Sequence, residues 1–283
     1  HAVQTAEIMK RFVPILLQEG PDYVLVVGDV NSTIACSLVA AKLGVKVAHV
    51  EAGLRSFDRT MPEEINRILT DAIADLLFVT EESGVENLRS EGVQEKKIHF
   101  VGNVMIDTLL KHREKASRSS ILSRLGLVSH GGDADGTVKP YGLITLHRPS
   151  NVDDRETFLG ILEALSEIAK RVPIIFPIHP RTLKRVSEFG FKGFFSNLTK
   201  AGTDFDHNGI HCIEPQGYLD FLRLVSCARL VLTDSGGIQE ETTVLGVPCI
   251  TMRENTERPV TVKLGTNIIA GTKGDTIVRA AHD

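Results

Sequence analysis

Short apolar runs alternate with longer amphipathic stretches along almost the whole chain. In the first half, the runs at 24–27, 45–50, 76–80 and 98–101 are rich in β-branched residues, and a segment of helical length separates each from the next. Short continuous apolar runs are typical of buried parallel strands, and strands that alternate with helices predict βαβ units. Residues 1–125 are therefore predicted to form a Rossmann-like domain.

The alternation restarts after a polar segment rich in Gly, Asp and Ser, so 126–140 is predicted to be a linker. Further strands are expected at 142–146, 173–178, 210–213, 229–233 and 247–252. A second domain is assigned to 141–283. The fold class is α/β, with two doubly wound parallel-sheet domains facing across a cleft.

The two ends of the chain depart from this pattern. His1 is followed at once by an amphipathic helix with Pro14 inside it, whereas a doubly wound domain usually opens with a strand. We therefore expect the first domain to be N-terminally truncated, without its opening strand, and the final helix to be incomplete.

Composition excludes several classes of function. A formal net charge of −4 gives no electrostatic support for a nucleic-acid partner. No apolar run approaches the roughly 18 residues of a membrane-spanning helix. The four cysteines lack close spacing, which predicts free buried thiols and a cytoplasmic location. Neither GxGxxG after a strand nor a P-loop is present, and no metal-ligand spacing occurs, so no cofactor and no metal are expected.

Acidic residues follow two of the predicted strands in the first domain. Asp29 comes directly after the first apolar run, Glu51 ends the second, and Glu63 stands at a helix start just beyond. Open α/β sheets bind ligands at the carboxyl ends of their strands. Carboxylates gathered there predict acid–base chemistry.

A strand-to-helix turn in the second domain carries Asp234-Ser235-Gly236-Gly237. Glycines let a ligand approach the backbone, and the N–H groups of a helix start suit a diphosphate. A plain tight turn is the alternative interpretation. A trypsin-like protease shares these letters but is disfavoured, because the motif here opens a helix in an α/β pattern.

Other polar residues follow the strands of this domain. His147, and less clearly His179, are expected to donate to a phosphate or to move a proton, and a structural loop histidine is the alternative. A carboxylate one turn into the helix, Glu240 or Glu241, can accept hydrogen bonds from ribose hydroxyls or simply favour the helix start. Arg258 can reach a phosphate or be a solvated surface arginine.

Seven motifs together resemble those of the non-hydrolysing UDP-N-acetylglucosamine 2-epimerases. They occur in the same order over the whole chain and read GDVNST, HVEAGLRSFDRTMPEEINR, FVGN, HRPSNVDD, IEPQGYLDF, TDSGGIQEE and RENTERP. The resemblance implies the GT-B fold and the interconversion of UDP-N-acetylglucosamine and UDP-N-acetylmannosamine by a cytoplasmic homodimer without nicotinamide, for surface-polysaccharide synthesis. The chain departs from the family at its start, where the opening strand and a GTRPE-like loop are absent.

The resemblance also implies roles for individual residues. The catalytic residues would be Asp29, Glu51, Glu63 and His147. The substrate-binding residues would be Arg55, Arg148, His179, Phe221, Ser235, Gly236, Gly237, Glu241 and Arg258. Spacing alone places Phe221 in the core, whereas the resemblance places it near the uracil. The implied reaction eliminates UDP across C1–C2 to give 2-acetamidoglucal, and UDP then adds again after the proton has returned on the other face.

Three alternatives remain open at this point. A GT-B glycosyltransferase would share the fold and the nucleotide site but would need a sugar acceptor, and the first-domain carboxylates favour the epimerase over it. A hydrolysing epimerase would release free N-acetylmannosamine. A UDP-sugar sensor would bind the nucleotide without turnover.

Overall fold

A computed structural model describes residues 1–129, 137–197 and 208–282 and divides the chain into two compact units, His1–Val104 and Met105–Asp283. The first unit contains α1 (Ala2–Glu19), β1 (Tyr23–Val27), α2 (Asn31–Lys42), β2 (Lys46–Ala52), α3 (Pro62–Ile73), β3 (Leu76–Val79), α4 (Glu82–Ser90), a 3₁₀ turn (Glu95–Lys97) and β4 (Ile98–Phe100).

The sheet of the first unit is parallel throughout, with the order β1-β2-β3-β4. Its interior strands are apolar and buried, as Val47 in β2 and Leu77 in β3 illustrate. In the described sheet β1 is an edge strand, and Tyr23, Leu25 and Val27 are 44%, 61% and 49% exposed. Exposed apolar side chains of this kind are unusual at a sheet edge, where charged residues normally discourage pairing.

The second unit begins with α5 (Val104–Ser117), whose first residue belongs to the first unit. Its further elements are α6 (Ile121–Arg124), β5 (Val128–Ser129), β6 (Thr137–Val138), β7 (Gly142–Thr145), α7 (Pro149–Val152), α8 (Arg155–Ile168), β8 (Ile174–Pro177), α9 (Pro180–Glu188), a 3₁₀ turn (Phe191–Phe194), β9 (Phe195–Asn197), β10 (Ile210–Ile213), α10 (Tyr218–Cys227), β11 (Leu230–Thr233), α11 (Gly236–Leu245), β12 (Cys249–Thr251), α12 (Pro259–Lys263), β13 (Asn267–Ile269) and α13 (Gly274–His282).

Seven parallel strands form the main sheet of the second unit, in the order β13-β12-β11-β7-β8-β10-β9. Two separate apolar clusters pack against it, one including Phe158 and Phe176 and the other including Tyr141 and Leu224. β8, β10 and β9 lie on one side of β7, and β11, β12 and β13 lie on the other. β7 pairs with β11, with Thr145 opposite Thr233. The strand order therefore reverses between β7 and β11, and a crevice at such a reversal is where doubly wound sheets bind ligands.

The predicted domain boundary needs correction. The structure divides the chain at Val104, whereas the sequence assigns 1–125 to the first domain and 126–140 to a linker. Leu109 and Ala116 of α5 are buried against Leu222 of α10. Arg124 of α6 also pairs with Asp220 of α10 at 2.5 Å. These contacts attach α5 and α6 to the second unit.

Several predicted elements differ in detail. The helix α1 continues through Pro14, and the N-cap of α2 is Val30, whose side chain makes no capping hydrogen bond. The segment predicted as a loop contains the short antiparallel pair β5–β6, while 130–136 lies outside the described residues. β9 is a strand that was not among those predicted, and 198–207 lies outside the described residues.

Two other expectations concern cysteines and membranes. All four cysteines are free thiols, as predicted, although Cys36 and Cys227 are only partly buried. Within the described ranges, no helix combines the length and the apolar character that crossing a membrane requires.

Candidate active site

Asp29 and Glu63 line one small cavity in the first unit. Asp29 follows β1 after Gly28, whose φ of 69° turns the chain out of the strand, and Glu63 is the second residue of α3. The cavity has a volume of about 240 Å³, and Asn31 and Asn66 also line it. Asn66 Nδ2 donates to the backbone oxygen of Asp29 at 2.8 Å, which ties the turn after β1 to α3.

Glu51 occupies an irregular position near the end of β2. Val50 pairs with Phe78 and Ala52 with Val79, so Glu51 is an extra residue in its strand. Its φ is 69°, in the left-handed region that side chains other than glycine rarely adopt. Bulges next to active sites redirect a side chain, and this one changes the direction of the Glu51 carboxylate relative to a regular strand. Glu51 does not line the cavity that Asp29 and Glu63 share.

Arg67 holds the Asp29 carboxylate from within the protein. Its guanidinium pairs with Asp29 Oδ2 and is almost fully buried, whereas the Asp29 side chain is 32% exposed. Arg67 Nε donates to Glu64 Oε2 at 2.9 Å, and the backbone N–H groups of Ser56 and Phe57 donate to Glu64 at 2.9 and 2.8 Å. Burial pushes the pKa of Glu64 upward, but these donors lower it below its usual value overall.

A second buried network connects the ends of β1 and β2. Asp71 Oδ1 lies 2.6 Å from His49 Nδ1, and His49 Nε2 lies 2.9 Å from the backbone oxygen of Gly28. The other oxygen of Asp71 accepts a hydrogen bond from the Gly53 N–H at 3.0 Å. Asp71 therefore fixes the backbone at two points near the carboxylates. It holds Gly28, which precedes Asp29, through His49, and it binds Gly53, two residues after Glu51, directly.

Arg55 lies in the loop after β2 and is bound to carboxylates of the protein itself. It is 3% exposed, and its guanidinium donates to both oxygens of Glu91 at 2.8 and 2.7 Å and lies 2.7 Å from Asp71 Oδ2. A buried arginine with two carboxylate partners stabilises the loop after β2. Its assignment to substrate binding stays a prediction.

In the second unit, His147 and Asp234 meet at the reversal of strand order. His147 follows β7, Asp234 follows β11, and His147 Nδ1 lies 3.1 Å from Asp234 Oδ1. The backbone N–H groups of His147 and Arg148 donate to Asp234 Oδ2 at 2.9 and 2.8 Å. Burial pushes the pKa of Asp234 upward, but His147 and these N–H groups lower it below its usual value overall.

The start of α11 packs closely against the side chain of Glu257. Ser235 is its N-cap, and the Ser235 N–H donates to Thr233 Oγ1 at 3.0 Å. A Cβ atom at Gly236 would lie 2.3 Å from Glu257 Oε1, so a side chain cannot be added there without moving a buried carboxylate. Arg253 pairs with that carboxylate at 2.7 Å, and Arg148 Nη2 lies 3.6 Å from it. Burial alone raises the pKa of Glu257, yet the neighbouring arginines lower it to about 2.

Glu241 lies one and a half turns into α11 and is 6% exposed. Its Oε2 atom is buried and has no hydrogen-bond partner among the described residues. Burial raises the pKa of Glu241 to about 6. The charge of Glu241 also contributes, after burial, to a raised pKa of Tyr218 at the start of α10.

The remaining predicted residues are more scattered. Arg258 is the N-cap of α12 and is 5% exposed, with Nε 3.3 Å from Glu240 Oε2. His179 caps α9, where its Nδ1 accepts from the Arg181 N–H at 3.2 Å. Phe221 packs partly against the core of the second unit, and a Cβ atom at Gly237 would meet the side chain of Met105. Among the described residues, no hydrogen bond or ion pair joins His179 or Phe221 to Ser235 and its neighbours.

Sequence reasoning missed the buried partners of the predicted site. Arg67 and Asp71 hold the first-unit carboxylate region, and Asp234 holds His147. The sequence contains one signal of this network. Glu64, Arg67 and Asp71 are spaced as i, i+3 and i+7, so they lie on one face of α3. A helix face of charged residues usually predicts contact with solvent, but this one is buried.

Comparisons with known proteins identify relatives over the whole chain. The sequence model of the UDP-N-acetylglucosamine 2-epimerase family matches residues 1–283. A UDP-N-acetylglucosamine 2-epimerase of Methanocaldococcus jannaschii is 46% identical, and the match covers 100% of this chain and 74% of that protein. A UDP-2,3-diacetamido-2,3-dideoxy-D-glucuronate 2-epimerase of Pseudomonas aeruginosa is 41% identical, over 100% of this chain and 73% of that protein.

The structure has a counterpart among solved proteins. It superposes on the M. jannaschii UDP-GlcNAc 2-epimerase, crystallised in complex with UDP-GlcNAc and UDP, with a TM-score of 0.87. The two chains are 45% identical, and the match covers 99% of this chain and 73% of that one.

Proposed function

The chain belongs to the UDP-N-acetylglucosamine 2-epimerase family, and from this we propose how its own residues interconvert UDP-N-acetylglucosamine and UDP-N-acetylmannosamine. The observation that carries the proposal is the pair of carboxylates, Asp29 and Glu63, on one cavity of the first unit. Epimerisation at C2 needs one group that removes a proton and one that returns it on the opposite face. Two carboxylates that line one cavity are suited to these two roles.

The proposed reaction has two steps. A first-unit carboxylate takes the C2 proton, the C2–H electron pair becomes the C1=C2 double bond, and the C1–O bond breaks with its electrons leaving on UDP. In the second step a protonated carboxylic acid delivers a proton to the other face of C2 of the 2-acetamidoglucal. The C1=C2 electron pair forms the new C2–H bond, and a UDP oxygen bonds to the electron-deficient C1. We assign these proton transfers to Asp29, Glu51 and Glu63.

The second unit is proposed to hold the nucleotide. Ser235 with Gly236 and Gly237 offers a helix start to the diphosphate, and His147, Arg148 and Arg258 supply positive charge or hydrogen-bond donors for the leaving group. His179 and Phe221 are proposed to contact the sugar or the uracil. A homodimeric assembly, a cytoplasmic location and a role in surface-polysaccharide synthesis are proposed on the family resemblance alone.

Deuterium exchange tests the proposed reaction directly. We expect the protein, incubated in D₂O with UDP-N-acetylglucosamine alone, to yield both epimers with deuterium at C2, as read by NMR. The matched control is the double variant Asp29→Asn/Glu63→Gln, which should bind UDP but leave C2 unlabelled. Absence of exchange until a sugar acceptor is added would indicate a glycosyltransferase. Free N-acetylmannosamine beside UDP would indicate a hydrolysing epimerase, and UDP binding without any turnover would indicate a sensor.

Glu241 is proposed to accept hydrogen bonds from the ribose hydroxyls, because its buried Oε2 lacks a partner among the described residues. We expect Glu241→Gln to weaken UDP binding by roughly tenfold or more, since hydrogen bonds to a charged group contribute about 1.5–3 kcal/mol. Titration calorimetry measures this affinity. Glu214→Gln, at an exposed position, is the control.

The same substitution should also stabilise the folded protein. The pKa of Glu241 is raised to about 6, so the folded state binds this proton more tightly than the unfolded state does. The resulting stability is present below about pH 4 and is lost as the pH rises through 6. At pH 8 we therefore expect Glu241→Gln to raise the free energy of unfolding by about 1–2 kcal/mol. Unchanged UDP affinity together with unchanged stability would contradict the assignment.

A further inference from the structure

We propose that Asp234 is a positioning residue for epimerisation, which holds the imidazole of His147 with its Nδ1–H toward the protein and its Nε2 toward the leaving diphosphate. The inference rests on the proposed function, because His147 matters only if it meets the nucleotide. The resemblance assigns a role to His147 and none to Asp234.

The geometry gives His147 two unequal ring nitrogens. Nδ1 lies 3.1 Å from Asp234 Oδ1, a buried oxygen that has no hydrogen-bond partner among the described residues, and the Asp234 side chain is fully buried. The His147 side chain is 49% exposed, so Nε2 is the ring nitrogen open to a ligand. An ionised carboxylate can only accept hydrogen bonds, and a hydrogen at Nδ1 is therefore the arrangement that satisfies both groups.

Asp234 is held in turn by three further donors. The backbone N–H groups of His147 and Arg148 donate to its Oδ2 at 2.9 and 2.8 Å, and Asn151 Nδ2 lies 3.3 Å from the same oxygen. Arg148 Nε also donates to the backbone oxygen of Asp234 at 2.9 Å. The carboxylate is thus fixed against the end of β7, and the loop that carries His147 is fixed with it.

Two chemical consequences follow for the reaction. With Nδ1 occupied, Nε2 is the atom that takes up a proton from solvent, and the buried carboxylate then stabilises the resulting imidazolium. An imidazolium with Nε2–H can donate to a diphosphate oxygen as negative charge develops there. Asp234 itself touches neither the sugar nor the phosphate in this scheme, and it acts only through His147.

Asp234→Asn tests this role with little change of shape. The amide oxygen can still accept from the two backbone N–H groups, but the amide nitrogen then faces His147 Nδ1 as a donor. This contact favours the opposite tautomer, and the uncharged amide no longer stabilises the imidazolium, so only a neutral imidazole faces the leaving diphosphate. We expect kcat for UDP-N-acetylglucosamine to fall by about 10²-fold, with a smaller change in KM. Asp154→Asn is the control, because asparagine caps a helix as well as aspartate and Asp154 caps α8.

A double-mutant cycle separates positioning from a general structural role. If Asp234 acts through His147, the variant His147→Asn/Asp234→Asn should be no slower than His147→Asn alone, within about threefold. Losses that multiply in the double variant would overturn the proposal. An unchanged kcat in Asp234→Asn would overturn it as well.

The tautomer of His147 can be read without any activity measurement. In ¹⁵N-histidine-labelled wild-type protein at high pH, we expect the ring signals of His147 to show Nδ1–H and an unprotonated Nε2, with His147→Asn providing the assignment. Nε2–H in the wild-type protein would overturn the proposal. Because it uses the wild-type protein, this measurement tests the proposal even if Asp234→Asn does not fold. The NMR measurement is also independent of turnover. A failure to exchange deuterium would count against the proposed function but not against the His147–Asp234 contact.

Discussion

Glu63→Gln, Asp29→Asn and Glu51→Gln are each expected to lower kcat for UDP-N-acetylglucosamine by about 10²–10⁴-fold, the usual contribution of a positioned acid or base. Each replacement keeps the size of the side chain and one acceptor oxygen, but it removes the group that exchanges a proton. UDP affinity should change little, because the nucleotide is assigned to the second unit. Chromatographic separation of the two epimers measures kcat, and calorimetry measures the UDP affinity.

The control for these variants is Glu95→Gln. Glu95 is an exposed carboxylate of the same unit, paired with Arg89 on the surface, and its replacement should leave turnover unchanged. Near-normal rates in all three site variants would refute the assignment of the carboxylates. A normal rate in Glu51→Gln alone would instead restrict the acid–base pair to Asp29 and Glu63, which share the cavity.

Comparison of the two epimers can assign the individual roles. The group that removes the proton from one epimer returns it to that same face in the reverse direction. In a variant that lacks this group, deuterium should enter C2 slowly when that epimer is the starting material. Initial rates of exchange from UDP-N-acetylglucosamine and from UDP-N-acetylmannosamine therefore show which carboxylate faces which side of C2.

Arg67→Met is expected to have the largest effect on stability. Arg67 is buried between Asp29 and Glu64, and Glu64 is itself 1% exposed. Removal of one partner leaves an uncompensated buried charge, which typically costs about 3–5 kcal/mol. We expect the first unit to unfold at a much lower urea concentration, and kcat to fall because Asp29 is no longer held.

Hydrogen exchange followed peptide by peptide locates this loss. Peptides from α3 and β1 should exchange at lower urea in Arg67→Met, whereas peptides from β7 and β11 should be unaffected. Arg89→Met removes an arginine from an exposed pair in the same unit and should change little. Equal behaviour of the two variants would show that the Arg67 network does not stabilise the first unit.

Local signals in the sequence predict where several of the proposed site residues stand in the fold. Asp29 and His147 stand where apolar runs end, and Ser235 stands where a helix begins after a strand. The ends of parallel strands meet at one edge of a sheet, so these positions follow from the alternation of elements. The place of the chain in its family, the α/β class and the two parallel sheets were likewise predicted correctly.

The partners of these residues depend on packing that the sequence does not reveal. The charged face of α3 is buried because Glu64 and Arg67 pair with each other, and Asp71 pairs with His49 and Arg55. Composition alone predicts that face in solvent. The two carboxylate partners of Arg55 were not predicted, for the same reason. The domain boundary was misplaced because the polar loop after 126 is conspicuous in composition, while the burial of Leu109 against Leu222 is not.

The backbone at Glu51 has a consequence for any attempt to evolve or engineer this protein. A left-handed conformation costs a residue with a side chain roughly 1–2 kcal/mol, and glycine adopts it without this cost. A library selected only for thermal resistance should therefore enrich glycine at position 51, although that change removes a carboxylate assigned to the reaction. Screens that reward robustness without turnover would thus select an inactive fold, and position 51 should be held constant in them.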